Sequence, residues 1–457
     1  MPPDALDPVR PAATSLTAFV GATGRGPVGT PVRVTGLDDY RATFAAADPS
    51  ALDEAVSLFF VNGGAEAVVV RAAGPAADQV VPTSGTGGLR AITGRFTVLV
   101  LPGVTSEDHL AVELAAARCA EERAVLLLDL PEGADAATAV RTTDRVHSAR
   151  ERVAAYHPWL RAGERTVPPS GAVAGVLARV DATDGVWASP AGARGGLVGV
   201  DSTTTALDDR EAELLTAGGI NPVRTVEDRG TVLRGVRVLG ARDGAEPAQR
   251  YLPVRRLTDQ VLESLEDGMA FVRERRADPG LDDLIRRRAE EFLTALWLRG
   301  ALAGQQPEQA FFVRCDGSTT TPGDRAEGRA VLLVGLATSK PAEFEVHRIV
   351  LETSTARPPQ VLPAARAVAR ATGLARERLT VARTVDLAPL VSTDADETRR
   401  RIEREFAEAA DAGTVLLLRG ADAVLRDGGR RRPAEIARLL DETSRHTGVP
   451  YVLGARH

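Results

Sequence analysis

From Thr17 onward the chain alternates short, continuously apolar runs with longer stretches whose apolar residues recur every three or four positions. The runs "LTAFVGA", "AVVVRA", "TVLVLPG" and "AVLLLDLP" predict strands, and "SALDEAVSLFFVNGG", "SEDHLAVELAAARCAEE" and a polar stretch around 135–154 predict helices. The first of these helices has Ser50 as N-cap and Asp53 three residues on, at the capping-box position. Leu52, Val56, Phe59 and Phe60 form its apolar face, and Gly63 ends it. Strands apolar on both faces, separated by amphipathic helices, predict a parallel sheet covered on both sides. Between about Tyr156 and Asn221 the periodicity dissolves into Pro, Gly, Ser and Thr. A second α/β pattern begins at "GVRVLGAR". It carries the helices "RRLTDQVLESLEDGMAFV" and "LDDLIRRRAEEFLTALWLRGAL" and the strands "AFFVRC", "AVLLVGLA" and "EFEVHRIVLE". A proline-bearing junction at "TARPPQ" opens a third block. The expected layout is a multidomain α/β chain: an unpacked arm over 1–14, α/β domains over 15–226 and 227–352, and an α/β extension over 353–457.

The first strand runs into "FVGATGRGPVG", whose Gly21, Gly24 and Gly26 approach the spacing of a dinucleotide-binding loop. That chemistry needs a helix to begin at once, because its free N–H groups and dipole hold the phosphates. Pro27 and Pro31 follow instead, and proline removes donors and blocks a helix interior. The loop therefore reads as an exposed turn between two strands.

Composition narrows the function classes. A chain of 457 residues exceeds one hydrophobic core and predicts roughly two to four domains. A net charge of −6 gives no global basic field for nucleic acid, and no apolar run reaches the ~18 residues of a membrane span. The start "MPPDALDPVRPAAT" lacks the charged-then-apolar design of a secretory signal. Cys119 and Cys315 stand far apart and read as reduced core thiols of a cytoplasmic protein. Of the 56 Lys and Arg residues only Lys340 is lysine, so any lysine-dependent mechanism has one candidate. The histidines His109, His147, His157, His347, His446 and His457 show no metal-ligand spacing, and His157 in "YHPWL" reads as packed beside Trp159. Asp129 ends "LLLDLP" where α/β enzymes place a catalytic carboxylate, but with no titratable partner in view it reads as a cap. No catalytic residue, metal site or cofactor is expected.

The irregular middle is the most specific part of the sequence. "YHPWL", "TVPPSGAVAGVLARVDATDGVWASPAG" and "GINPVRTVEDRGTVLRGVRVLGAR" are followed by "RYLPVRRL", "AEEFLTALWLRGALAGQQPEQAFFVRCD" and "VGLATSKPAEFEVHRI". In this order, and with the opening "TSLTAFVGATGRGPVGTPVRVTGLDDYRATF", they resemble the contractile tail sheath proteins of phages and phage-tail-like injection systems. The resemblance runs from about Thr14 to Glu352 and departs at both ends. Sheath subunits usually begin with an extended arm of the form tyrosine-proline-glycine-valine-tyrosine, whereas this chain has the proline-broken "MPPDALDPVRPAA". Family members also tend to end soon after the strand matching "FEVHRI".

The resemblance implies a homo-oligomeric, non-enzymatic subunit, assembled in the cytoplasm around an inner tube protein. Baseplate and cap proteins would complete a particle that can be released, with no nucleic acid bound and no membrane insertion. Its neighbours would be linked by strands added to sheets, which rests on main-chain hydrogen bonds. "EFEVHRIVLE" sets Phe344, Val346, Arg348 and Val350 against Glu343, Glu345, His347 and Ile349, which suits either such a linking strand or an internal strand of its own domain. Arg286, Arg287 and Arg288, beside Glu290 and Glu291, offer a charged helix face for an inner tube or a solvated surface.

The last block resembles the first half of an AAA ATPase core that has lost its chemistry. Where a phosphate loop needs glycines, a lysine and a hydroxyl, the chain has Gln360, Val361, Leu362 and Pro363; where metal-binding acids belong it has Arg419 and Gly420. Two alternatives stand beside the sheath subunit: a non-polymerising sheath paralogue acting as a terminal or adaptor subunit and, further off, an AAA-type ATP-dependent remodeller.

Overall fold

The computed structural model describes residues 7–241, 250–354, 382–392, 394–411, 415–419, 433–447 and 451–453. The chain divides into two compact units, one of residues 13–260 and the other of residues up to 12 together with 261 onward.

The 13–260 unit is built on an eight-stranded sheet. Its strands are β1 (Thr17–Gly21), β2 (Pro31–Val34), β3 (Ala67–Arg71), β4 (Val98–Thr105), β5 (Val125–Asp129), β6 (Val153–His157), β10 (Ile220–Val226) and β11 (Gly230–Leu233). They lie in the order β11-β10-β6-β5-β4-β1-β3-β2. The six inner strands run parallel, and the antiparallel β2 and β11 close the two edges. Three short strands, β7 (Leu160–Ala162), β8 (Arg165–Val167) and β9 (Ser202–Thr203), form a separate antiparallel sheet. The expected boundary at 226 falls inside the large sheet, because β10 ends there and turns back into β11 through the pair Val226–Gly230.

Both faces of the large sheet are covered, as its continuously apolar strands require. Along β5, Leu126 and Leu128 join one hydrophobic cluster and Val125 and Leu127 the other. The first cluster takes side chains from α3 (His109–Glu121), α4 (Ala136–Thr143) and α6 (Asp209–Ala217); the second takes them from α1 (Leu37–Phe44), α2 (Ala51–Val61) and α5 (Ser170–Thr183). Helix α2 begins with the expected capping box, Ser50 and Asp53 exchanging hydrogen bonds with each other's backbone. Helix α5 lies within the stretch that reads as irregular. Its residues from Ser170 to Ala178 are all buried, so it carries no polar stripe to reveal a helical period. Gly171 and Gly175, one turn apart, let α5 lie directly on α2. A Cβ on Gly171 would come within 2.3 Å of the Ala55 carbonyl oxygen, and one on Gly175 within 2.4 Å of the Phe59 carbonyl oxygen.

Helix α7 (Leu252–Gly268) begins in this unit, and two ion pairs fix its first turns. Arg152 is fully buried and forks onto Asp259, its Nη2 donating to Oδ1 at 2.9 Å. Arg256 forks onto Asp181 at 2.9 and 2.5 Å, donates to the Thr14 carbonyl, and shares that carboxylate with the Ser15 hydroxyl. Bidentate geometry of this kind is the strong form of the Arg–carboxylate bond.

In the second unit, α8 (Pro279–Leu298) starts at Asp278, whose side chain accepts from the Leu281 N–H, with Pro279 in the first turn where its missing donor is harmless. The strands β12 (Phe311–Arg314), β13 (Arg329–Leu336) and β14 (Glu345–Glu352) form an antiparallel sheet in that order. Gly335 carries no side chain because the Phe312 ring lies over it; a Cβ there would sit 2.1 Å from Phe312 Cε1. The described part of the extension is a parallel sheet of β15 (Ala382–Asp386), β16 (Val415–Arg419) and β17 (Tyr451–Leu453) with helices α9 (Ala395–Asp411) and α10 (Pro433–Thr447). Leu387, Ile402, Phe406, Leu416, Leu418, Ile436 and Leu440 form its core.

Replacing Asp259 by alanine strands the Arg152 charge in the core of the 13–260 unit. The expected loss is about 3–5 kcal/mol, read as a lower denaturation midpoint with an unchanged slope. A loss below about 1 kcal/mol would show that the pair is dispensable.

Candidate assembly interface

The residues singled out for chemistry are occupied structurally. The loop after β1 leads into β2, with no helix in between. Its Thr23 hydroxyl donates to Asp53 Oδ2 at 3.1 Å, and the same carboxylate accepts from the Tyr40 hydroxyl at 2.8 Å. Burial, reinforced by Asp53, pushes the Tyr40 phenol well above its usual range. Asp129 is buried at the end of β5 and accepts from the Ser170 backbone N–H at 3.1 Å and the Ser170 hydroxyl at 2.6 Å. It therefore caps the start of α5, a partnership across 41 residues that no local pattern announces. Burial pushes its carboxyl up to about 7. His157 is buried on the neighbouring strand β6, and burial holds it down at about 4. Cys119 and Cys315 are free, buried thiols, pushed up by the same desolvation. Among the described residues no cluster of three or more His, Cys, Asp or Glu side chains could hold a metal ion.

What the structure does present is an edge. All eight residues of β14 pair with β13, from Arg329–Glu352 to Leu336–Glu345. On its other side β14 has no paired strand among the described residues, although Ser354, just beyond its end, bridges to Arg276. The strand alternates as the sequence suggests. Glu345, His347, Ile349 and Leu351 share one face, and all but the half-buried Glu345 are buried. On the other face Val346 is buried, Arg348 is half-buried and Val350 is 42% exposed. Phe344 lies just outside the strand and packs edge-on against Phe312, ring centres 5.2 Å apart.

The arginine triplet on α8 is split among three environments. Arg286 is held by Glu290 at 3.0 Å and Asp283 at 3.2 Å. Arg288 lies over the Phe271 ring and donates to the Asp7 carbonyl oxygen. Arg287 is exposed. The Asp7 bond belongs to a contact that sequence reasoning missed, because residues 7–12 are not loose. Val9 is half-buried against α7 and α8, the Ala12 N–H donates to the Ser264 hydroxyl at 2.8 Å, and the segment overlies a cavity of about 150 Å³ lined by Phe292, Ala295 and Leu296. Prolines hid this docking, since they remove the alternating pattern by which a packed segment is recognised. Of the positions aligned with a nucleotide loop, Gln360, Val361, Leu362, Pro363 and Gly420 lie outside the described residues, and Arg419 ends β16.

Comparison with known proteins gives one family-model match and several similar solved structures. Residues 83–238 match the family model described as phage tail sheath protein central domain. Among solved structures, the chain is similar to the PVC sheath complex of an extracellular contractile injection system in its contracted state. Identity is 26% and TM-score 0.63, covering 79% of this chain and 95% of that one. It is similar to the helical sheath of the anti-feeding prophage in its contracted state, at 27% identity and TM-score 0.62, covering 76% of this chain and 95% of that one. A sheath tail protein from Listeria innocua shares the fold at 11% identity and TM-score 0.53, covering 75% and 96%. The search of curated proteins found no match.

Asp129 and His157 give opposite pH signatures. The raised Asp129 carboxyl keeps its proton in the folded state while the unfolded one loses it near 3.8, so its contribution falls as pH rises toward 7. The depressed His157 stays neutral when the unfolded ring takes a proton near 6.5, so its contribution falls as pH drops toward 4. Denaturant unfolding between those limits should show Asp129→Asn gaining up to about 1.4 kcal/mol per pH unit of upward slope relative to the parent chain. His157→Gln should shift the slope the opposite way by a similar amount. Parallel profiles for all three proteins would contradict the assignment.

Proposed function

We propose that this chain, which carries a phage tail sheath central domain over residues 83–238, is a structural subunit of the contractile sheath of a phage-tail-like injection particle. The observation that carries the reading is its likeness to a contracted injection-system sheath along nearly the whole of that relative's chain. Copies assemble helically through contacts between different surfaces, the arrangement that extends a filament rather than closing a ring. Contraction requires two packings of the same rigid bodies separated by a few kcal/mol per subunit, summed along the tube. A parallel sheet covered on both faces and tied by buried ion pairs suits that role, since it moves as a block.

Within this reading β14 is the surface that links neighbours, because an edge strand accepts a partner through its main chain and tolerates varied side chains. Arg287 is the member of the arginine triplet left to meet an inner tube through a salt-sensitive contact. The subunit turns over no substrate; its buried carboxylate and thiols are spent on the fold. It assembles in the cytoplasm with tube, baseplate and cap proteins. Among the described residues no helix is long and apolar enough to cross a membrane. The extension after Glu352 serves as an outward decoration or docking surface, a degenerate AAA-like block without hydrolysis.

Co-expression of the chain with its inner tube protein and imaging of the product tests the reading. Helically ordered sheaths in extended or contracted form are the expected result. Discrete particles that never grow along the tube would contradict it.

A further inference from the structure

The segment before the body is built into the chain's own second unit. Val9 fits where Gly268 ends α7: a Cβ on Gly268 would lie 2.7 Å from Val9 Cγ1 and 3.1 Å from Val9 Cβ. Two hydrogen bonds bracket that contact, one from the Ala12 N–H to the Ser264 hydroxyl and one from Arg288 to the Asp7 carbonyl oxygen. The Arg288 guanidinium is in turn stacked 5.2 Å from the Phe271 ring centre, and Arg275 lies 5.6 Å from the same ring. A helix end without a side chain, a buried hydroxyl and a ring-stacked arginine thus converge on six residues that are separated in sequence from the rest of their unit by residues 13–260.

We propose that residues 7–12 are an intramolecular clasp that stays closed in the assembled particle, so that copies of this chain are linked through other surfaces and not through this arm. Three physical arguments favour closure within one chain. First, a segment tethered beside its groove competes at an effective concentration of about millimolar, which a second copy in dilute solution does not match. Second, Pro8 and Pro11 lack the N–H groups that a strand added to a neighbour's sheet must donate, so the segment is poorly made for strand exchange. Third, its present partners are a glycine-shaped gap and two fixed polar groups, which prolines fit without loss. The clasp joins α7 and α8 within one unit, and its release would uncover the buried Phe292 and Leu296 to water. The consequence for assembly rests on the sheath reading; the clasp itself does not.

A cysteine pair tests this directly. The separation of Val9 Cβ from a Cβ built on Gly268 lies close to the ~3.5–4.5 Å span of a disulfide, so Val9→Cys with Gly268→Cys should cross-link with a small adjustment. The native thiols Cys119 and Cys315 are buried, and the parent chain serves as the control for them. Oxidation of the free double variant should give a cross-linked monomer on a non-reducing gel. Pre-oxidised chains should then assemble to the same extent as reduced ones, and particles oxidised after assembly should again release monomers. Failure of the free double variant to cross-link would overturn the proposal. So would a ladder of covalent multimers from assembled particles, or loss of assembly in the locked chain. The single variants Val9→Cys and Gly268→Cys, compared by thermal melting, separate misfolding from a missing contact. If no chain forms particles under any condition, the sheath reading fails, while the monomer result still decides whether the clasp exists.

Discussion

The ladder between β13 and β14 satisfies one side of an eight-residue strand and leaves the other as the longest strand edge among the described residues. Backbone groups along such an edge are strong donors and acceptors, and soluble proteins normally shorten, bend or cover it. Here it pairs over its full length on one side, is lined by the half-buried Arg348 and the exposed Val350, and among the described residues is bridged only past its end at Ser354. In the proposed sheath role, a subunit that holds its neighbours through a large movement would gain from this kind of bond, because main-chain hydrogen bonds bind without a precise side-chain fit.

Under that proposal the remainder of the molecule contributes stiffness within each unit. The eight-stranded sheet is saturated at both margins by short antiparallel strands, so it offers little edge of its own. Its strands are packed on both faces. Arg152 and Arg256 tie the start of α7 to elements distant in sequence through buried bidentate pairs, which resist sliding more strongly than apolar contact alone. The residues that resemble enzyme parts add to this stiffness. Asp129 steadies α5, and Asp53 gathers Thr23, Tyr40 and Ser50 around the loop after β1.

Much of this was legible from residue patterns. The apolar runs marked β1, β3, β4 and β5, the capping box marked α2, and Pro27 with Pro31 excluded a phosphate loop. Helix α5 was not legible because it is buried all round, so its small residues read as a break in periodicity. The clasp was missed for a related reason, since a docked proline segment shows neither the two-residue nor the 3.6-residue period. The extent of the first unit was hidden as well. Strand β11 follows a tight turn, and the pairing that keeps it in the large sheet is a matter of register. Pairings such as Arg152 with Asp259, 107 residues apart, exist only once the chain has folded. The arginine triplet was visible as charge, but only structure separates the paired Arg286 and the stacked Arg288 from the exposed Arg287.

The claim that copies hold one another through the β14 edge is open to hydrogen exchange, measured by mass spectrometry on free chains and on assembled particles. Peptides covering Glu345–Glu352 should slow markedly on assembly, more than those covering the already paired β13. Equal exchange of β14 in the two states would contradict the account.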